Sequence, residues 1–308
     1  MWHSLLHYLG EFLSLGTLLH LTLSAVTIFW ILRIKRDSTA AVAWCLTALL
    51  MPFFGPLLFL VFGYQRVYRP LLRKKKHKKA FRQEHPRRRP GEKKRFGVGW
   101  AGMARLAQRL DAFPAAVGNR VTFFYEGQPA FDAKMEAIRA ARHHIHLEYF
   151  ILQPDETGRA LLALLAEKAR QGVQVRLLYD AMGSHRLHGR HLWPLREAGG
   201  RVESFFPLFN PLRRRTQINL RNHRKILVTD GKVAFCGGMN IGDEYLNKSK
   251  VFGYWRDTDM QIVGPAVADL QRVFVEDWNF ASDELLQGKG YFPSNRKAGE
   301  SPVQVVMA

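Results

Sequence analysis

The chain contains 308 residues, which is enough for one large domain with additional segments. Its 46 Lys and Arg residues outnumber 26 Asp and Glu residues, and the net charge of +20 predicts an anionic partner, either nucleic acid or an anionic bilayer. The two cysteines, Cys45 and Cys236, lie in apolar surroundings, so the composition gives no support to a disulfide framework or a zinc site.

Two apolar runs open the chain. The first covers residues 12–32, contains no charged residue and has the length that crosses a bilayer. The second covers residues 40–63 and is interrupted by Pro52 and Pro56, which we expect to kink it or make it re-entrant. Together the runs predict a transmembrane hairpin over residues 1–65. No basic segment precedes the first run, which disfavours a cleaved signal peptide.

A strongly basic segment follows the second run. Between residues 64 and 95, 15 Lys and Arg residues stand against 2 Glu residues. We interpret residues 66–96 as a polybasic linker that lies on anionic lipid, with a solvated linker as the alternative. Because this flank is more basic than the loop between the two runs, the remainder of the chain and the N-terminus are predicted to be cytoplasmic.

From residue 97 to residue 308, helix patterns and strand patterns alternate. Helical periodicity covers residues 131–142, 157–171 and 188–198. Strand patterns cover residues 143–152, 173–179 and 201–205. This alternation predicts an α/β domain whose sheet is covered by helices on both faces.

One segment of this domain carries a pattern with chemical meaning. It reads H-x-K-x4-D and is followed by two glycines and an asparagine, namely His223, Lys225, Asp230, Gly237, Gly238 and Asn240. Strand patterns over residues 224–229 and 232–236 are joined by Asp230-Gly231, which predicts a β-hairpin. Because residues two apart in a strand share a face, His223 and Lys225 are expected to point the same way.

These residue types suit phosphoryl transfer. The neutral imidazole of His223 can attack phosphorus and form a phosphohistidine. Lys225 can neutralise the phosphoryl oxygens, and Asn240 can donate a hydrogen bond to the same oxygens. Gly238 allows the backbone to approach closely. No metal or other cofactor is required.

Carboxylates are expected to support this chemistry. A carboxylate best holds the far nitrogen of His223, and we choose Asp257 for this role, with Asp259 as the second choice two residues along the same strand. Asp230 completes the motif, but we expect it to brace the turn rather than contact substrate.

Three histidines precede the motif at positions 143, 144 and 146. Strand alternation places His144, His146 and Glu148 on one face, which could suggest a metal site. We interpret them instead as a polar strand end close to the motif.

The H-x-K-x4-D pattern resembles the HKD motif of the phospholipase D superfamily. Residues 144–151, 172–180, 237–245 and 255–258, and the N-terminal hairpin, are similar to bacterial cardiolipin synthases. The resemblance implies a phospholipase D-like fold with a mixed sheet flanked by helices. It implies transfer of a phosphatidyl group between two phosphatidylglycerol molecules, giving cardiolipin and glycerol through a phosphatidyl-histidine, at a bacterial inner membrane. It also places Glu148 in the pocket.

The chain departs from the family pattern because it carries one HKD motif where the family has two. We therefore expect residues 97–308 to be a catalytic half-domain of a chain truncated before the second motif. One alternative is a homodimeric, single-motif phosphodiesterase or nuclease, and another is an inactive truncated membrane protein. The apolar hairpin disfavours a nucleic acid partner. The identity of the phosphatidyl donor and acceptor stays open between phosphatidylglycerol and phosphatidylethanolamine.

Overall fold

The computed structural model describes residues 2–35, 37–63, 98–110, 112–205 and 221–307. The chain divides into two compact units, Met1–Arg69 and Pro70–Ala308. The basic segment at residues 66–96, for which the sequence predicts contact with lipid, lies outside the described residues.

The smaller unit consists of apolar helices. They are α1 (Trp2–Ile34), α2 (Ser38–Leu50) and α3 (Phe54–Leu58), which continues into a π-helical turn, Phe59–Gly63. Ser14–Ile34, with a mean hydropathy of 1.8, is the one stretch among the described residues that is long and apolar enough to cross a membrane. The helix of the second apolar run is interrupted at residues 51–53, which include Pro52, so a second crossing of the membrane stays a prediction.

In the described part of the larger unit, eight strands form one mixed sheet in the order β4-β3-β2-β5-β6-β7-β1-β8. Their bounds are β1 (Ala116–Phe124), β2 (His144–Tyr149), β3 (Gln174–Asp180), β4 (Arg201–Phe205), β5 (Lys225–Thr229), β6 (Val233–Gly237), β7 (Asp259–Val263) and β8 (Ser301–Val303). Strands β2, β3 and β4 are parallel, and the other neighbouring pairs are antiparallel. The mixed sheet predicted for this region is therefore confirmed.

Helices cover both faces of the sheet. In the described residues they are α4 (Val98–Arg109), α5 (Gly127–Ala140), α6 (Glu156–Arg170), α7 (Gly189–Glu197) and α8 (Val267–Ser282). Leu227 of β5 packs in the core that contains residues of α5, α6 and α7. Its neighbours Ile226 and Val228 pack in the core that contains residues of α8. Strand β5 is thus buried on both faces, and its side chains alternate between two helix layers.

The register of β5 decides which residues meet. Strand β5 runs antiparallel to β2, with Lys225 opposite Tyr149 and Thr229 opposite Ile145. The segment before β5 therefore lies where the parallel strands β2 and β3 end, whereas the turn after β5 lies where they begin. His223 and Asp230 consequently occupy opposite edges of the sheet.

The interpretation of His143, His144 and His146 as a polar strand end close to the motif holds for Asp230, which contacts the backbone of His143 and His144, but not for His223. They stand at the start of β2, where the backbone N–H of Asp230 donates to the carbonyl of His144 at 2.9 Å. The antiparallel register places them at the edge of the sheet opposite His223. Only Glu148, near the end of β2, lies at the edge where His223 lies.

Asp230 braces the turn between β5 and β6. It adopts a left-handed backbone (φ 53°), and its carboxylate accepts hydrogen bonds from the backbone N–H groups of Arg142, His143 and His144. Burial alone would raise the pKa of Asp230, but these three donors hold it below its usual value. The aspartate of the motif therefore ties the hairpin to the start of β2.

We expect Asp230→Ala to lower the free energy of unfolding by about 2–4 kcal/mol, because it removes three charge-assisted hydrogen bonds and places alanine at a positive φ. Asp230→Asn, which tolerates the left-handed backbone, should lose less. Urea unfolding of the full chain in detergent, followed by tryptophan fluorescence, measures both. Since the folded pKa is lowered, the wild-type advantage is present above about pH 4 and is lost as the pH falls through that lowered pKa. Equal midpoints for Asp230→Ala and wild type would contradict the bracing role.

Candidate active site

The four residues from Asn222 to Lys225 alternate between the two faces of the sheet. Ile226 and Val228 face α8, so Asn222 and Arg224 are directed to that side, and Arg224 forms an ion pair with Asp277 of α8. The odd-numbered residues of the segment face the other side. There His223 is exposed to solvent, whereas Lys225 is buried. His223 and Lys225 thus share a face.

An aromatic ring joins His223 and Lys225. Phe150 follows β2, and its ring centroid lies 4.6 Å from that of His223. The ammonium group of Lys225 lies 5.3 Å from the same centroid of Phe150 and donates a hydrogen bond to the carbonyl of His223 at 2.7 Å. The end of β2 therefore fixes the relative position of the motif histidine and lysine.

The surroundings keep His223 neutral. Partial desolvation lowers the pKa of His223, and the nearby positive charge of Lys225 lowers it further, while Asp180 acts in the opposite direction. An imidazole with a pKa below its usual range carries a free nitrogen lone pair at neutral pH. His223 is therefore ready to act as a nucleophile.

Lys225 loses its proton at a lower pH than an ordinary lysine. Burial lowers the pKa of Lys225 to about 8, although Asp257 and Cys236 favour the charged form. At neutral pH the side chain is still a cation, and it lies where few solvent molecules screen it. Such a cation can stabilise negative charge on a bound phosphate.

Asp257 lies against the backbone at Gly238. A Cβ at this glycine would overlap the carboxylate of Asp257, so a side chain there would displace the aspartate. The Gly238 N–H also donates to the carbonyl of Thr258 at 2.9 Å. The structure brings Asp257 into the electrostatic environment of Lys225, and its predicted contact with His223 stays a prediction.

The carboxylate whose charge acts on His223 is Asp180, which the sequence patterns do not single out. It is buried at the end of β3 and accepts hydrogen bonds from the backbone N–H groups of Met182, Gly183 and Asn222. A carboxylate at the end of a parallel strand is a signal that could have pointed to it. Asp259, the second choice for support, forms a buried ion pair with Lys134 instead.

Asn240 holds the segment that follows β2. Its side-chain oxygen accepts a hydrogen bond from the Ile151 N–H at 3.0 Å, and its amide nitrogen donates to the Tyr245 hydroxyl at 2.8 Å. Because Ile151 follows Phe150 directly, these bonds hold the loop that carries the aromatic ring. The predicted hydrogen bond from Asn240 to a phosphate oxygen stays a prediction.

A buried polar network occupies the α8 face behind the motif. The amide of Asn222 donates to Glu148, and its side-chain oxygen accepts from the Arg224 N–H at 3.1 Å. Arg224 pairs with Asp277, and both Glu148 and Asp277 are almost fully buried. The residues on either side of His223 are thus anchored in this network, in which the sequence patterns identify only Glu148.

Glu148 and Asp277 are buried carboxyl groups in contact. Burial raises the pKa of Glu148 well above its usual value, and the charge of Asp277 raises it further, while Arg224 opposes both effects. The Oε2 atom of Glu148 is buried and accepts no hydrogen bond from a described residue, whereas the carboxyl of Asp277 is its hydrogen-bonding neighbour. Two carboxyl groups can share a hydrogen bond only if one of them is protonated, so this pair holds a proton when Glu148 and Asp277 are in contact.

Comparison with known proteins identifies related sequences for both units. A family model described as the cardiolipin synthase phospholipase D-like domain matches residues 135–278, and one described as phospholipase D-nuclease N-terminal matches residues 22–63. Cardiolipin synthase 1 of Bacillus anthracis is 35% identical over 311 residues, which cover 97% of this chain and 61% of that protein. Cardiolipin synthase of Staphylococcus aureus (strain N315) is 38% identical over 281 residues, which cover 88% of this chain and 57% of that protein.

Solved structures show weaker likenesses. NucT from Helicobacter pylori aligns with a TM-score of 0.40 and 15% identity, covering 53% of this chain and 95% of that one. Phosphatidylserine synthase from Haemophilus influenzae aligns with a TM-score of 0.42 and 19% identity, covering 54% of this chain and 38% of that one. The chain spans about three fifths of the length of the curated relatives that it matches. These sequence matches show that the chain is similar to cardiolipin synthases over most of its length, and that residues 135–278 match their phospholipase D-like domain.

Proposed function

We propose that this chain carries the nucleophile of a cardiolipin synthase-type phosphatidyltransferase, which converts two phosphatidylglycerol molecules into cardiolipin and glycerol. The observation that supports this most directly is the pairing of a neutral, solvent-accessible His223 with the partly desolvated cation of Lys225 on one face of β5. The match of residues 135–278 to the cardiolipin synthase domain favours a lipid substrate over a nucleic acid.

In the proposed reaction, a ring nitrogen of His223 attacks the phosphorus of phosphatidylglycerol. A nitrogen–phosphorus bond forms, and the bond from phosphorus to the glycerol oxygen breaks. The leaving oxygen takes a proton from the histidine of a second motif, in a longer chain or in a second copy. The hydroxyl group of another phosphatidylglycerol then gives its proton to that histidine, attacks the phosphatidyl-histidine and releases cardiolipin and free His223.

The other site residues stabilise this transfer. Lys225 neutralises the phosphoryl oxygens as charge develops on them, and Asn240 adds a hydrogen bond. Asp257, which fits against Gly238, helps to keep Lys225 charged. Asp180 favours the positive charge that the ring of His223 acquires while it is bonded to phosphorus.

We place the reaction at a bacterial inner membrane. Residues 1–65 anchor the chain as a multi-pass hairpin, residues 66–96 lie on anionic lipid, and residues 97–308 form the catalytic part on the cytoplasmic side. The apolar stretch Ser14–Ile34 and the basic charge of residues 64–95 support this arrangement.

A second candidate is a homodimeric phosphodiesterase, favoured by the presence of a single HKD motif in the chain. Two copies related by a two-fold axis would bring two His223 residues to one site. This arrangement would hydrolyse a phosphodiester, including a nucleic acid, with water as the acceptor.

We expect the full chain in phosphatidylglycerol vesicles to form an acid-labile phosphatidyl adduct at His223, which His223→Ala abolishes because the nucleophile is lost. Mass spectrometry of digests prepared without acid detects the adduct, and cardiolipin is measured in the same samples. His143→Ala, an exposed histidine at the opposite edge of the sheet, is the matched control and should retain the adduct. Cleavage of plain DNA without lipid turnover would favour the second candidate, and an adduct in His223→Ala would exclude the assigned nucleophile.

The rate of adduct formation should decline as the pH rises through about 8, because the folded chain then loses the positive charge of Lys225. Lys225→Arg keeps a cation throughout and should remove this decline, even if its geometry lowers the maximal rate. Lys225→Met should be about 10²–10³-fold slower and lack this decline. Initial rates between pH 6 and 10 test this, and a decline that persists in Lys225→Arg would assign it to another group.

Substitutions in the buried network behind the motif should show which of its two acids, Glu148 or Asp277, carries the proton. Glu148→Gln keeps an acceptor for Asn222 and supplies an N–H for Asp277, so its free energy of unfolding should stay within about 1 kcal/mol of wild type. Asp277→Asn removes a buried charge that pairs with half-buried Arg224 and should cost about 3–5 kcal/mol. Urea unfolding of the full chain in detergent compares the variants.

The pH dependence provides the control for this assignment. Because the folded pKa of Glu148 is raised, wild-type stability decreases as the pH rises above the ordinary glutamate value of about 4.3. Glu148→Gln lacks this titration, so its stability relative to wild type should improve with rising pH. If Asp277→Asn were tolerated and Glu148→Gln were not, the proton would belong to Asp277.

A further inference from the structure

One loop beside the site exposes large apolar side chains. The rim loop, residues 247–256, leads from Asn247 to Arg256, and within it Val251 is 87% exposed, Phe252 58% and Tyr254 68%. Isolated exposed apolar residues are ordinary, but three within four positions concentrate apolar surface at one place. The rim loop contains three basic residues and no acidic residue, namely Lys248, Lys250 and Arg256.

The rim loop is held firmly at its base. The Trp255 N–H donates to the side-chain oxygen of Asn247 at 2.5 Å, which closes the loop. The ring of Trp255 packs edge-on against Tyr245 with centroids 5.3 Å apart, and Phe252 packs against Trp255 at 6.2 Å. Gly253 takes a left-handed backbone (φ 63°) that permits the turn at the tip. The apolar tip is therefore presented by a braced loop.

The base of the rim loop also belongs to the site. Tyr245, on which Trp255 packs, receives a hydrogen bond from Asn240, which in turn holds the segment after Phe150. Asp257, the residue after the rim loop, fits against Gly238 and acts on the charge of Lys225. The C-terminal end of the rim loop therefore leads directly into the surroundings of Lys225.

We propose that the rim loop inserts Val251, Phe252 and Tyr254 into the interfacial layer of an anionic phospholipid bilayer, while Lys250 and Arg256 contact lipid phosphates. This deepens the proposed function, on which it rests for the lipid nature of the substrate. Aromatic and aliphatic side chains combined with basic residues match the chemistry of the bilayer interface. Insertion at this point would present a lipid phosphodiester to His223 without removing the lipid from the bilayer.

Charge favours lipid over a protein partner. A second copy of this chain also carries a net charge of +20 and the same basic rim loop, so two rim loops repel each other. An anionic bilayer attracts Lys250 and Arg256 and offers an apolar layer for the tip. The same chain contains an apolar helix, Ser14–Ile34, that is long enough to cross a bilayer.

The test uses the full chain with Cys45→Ala and Cys236→Ala, a single new cysteine by Val251→Cys, and an environment-sensitive fluorophore on that cysteine. The protein is reconstituted into phosphatidylglycerol vesicles and into phosphatidylcholine vesicles. Lys232→Cys, exposed in the hairpin turn at the opposite edge of the sheet, is the matched control.

In phosphatidylglycerol, we expect the label at position 251 to shift to shorter emission wavelengths and to be quenched at least about twofold by lipids spin-labelled near the headgroup. The label at position 232 should instead be quenched by aqueous iodide. A Phe252→Ser/Tyr254→Ser variant should lose the lipid quenching at position 251. Iodide quenching of position 251 equal to that of position 232 would overturn the proposal. Protection from both quenchers would also overturn it, because protein would then cover the rim loop.

This readout is independent of turnover. Lipid quenching at position 251 without any adduct at His223 would leave the rim loop assignment standing and contradict the proposed function. An adduct at His223 with a solvent-exposed label at position 251 would support the proposed function and contradict the rim loop assignment. Lipid quenching that is equally strong in phosphatidylcholine would overturn the part assigned to Lys250 and Arg256.

Discussion

The orientation of the site depends on the ion pair between half-buried Arg224 and buried Asp277. Arg224 enters the α8 side of the sheet and pairs there with Asp277, whereas an unpaired guanidinium in this position would be strongly destabilising. Once Arg224 and Asn222 are committed to that face, the period of two in an extended chain turns His223 and Lys225 to the other face. The residues that perform the chemistry are therefore oriented by neighbours that never meet the substrate.

Desolvation leaves His223 neutral and Lys225 charged at neutral pH. Desolvation disfavours the charged forms of both His223 and Lys225, and the positive charge of Lys225 lowers the pKa of His223 further. The histidine, with the lower intrinsic pKa, becomes neutral first, while the lysine remains charged at neutral pH. A neutral nucleophile next to a cation is the combination that attack on a phosphodiester anion requires. Neither residue has to be activated by a metal in this scheme.

Local patterns predict the elements well because the hydrophobic periods are strong. The strand at residues 201–205 agrees with the structure, and the hairpin through Asp230-Gly231 is present. Contacts between residues that are far apart in the sequence are harder to predict from such patterns. Glu148 meets Asp277, 129 positions later, only because β2 and α8 pack together, and Asp180 reaches the motif only through the parallel pairing of β2 and β3. The position of His144 and His146 at the edge opposite His223 cannot be predicted from strand alternation, because that pattern does not contain the register of pairing.

The two buried histidines at the start of β2 affect the stability of the domain in acid. His144 and His146 are buried in neutral form, and burial, with the charge of neighbouring groups, lowers the pKa of His144 to about 3 and that of His146 well below its usual value. An unfolded chain would take up protons at both rings below about pH 6.5, so mild acidification favours unfolding. Protonation of two histidines at the edge of the sheet opposite His223 therefore contributes to acid unfolding of the domain.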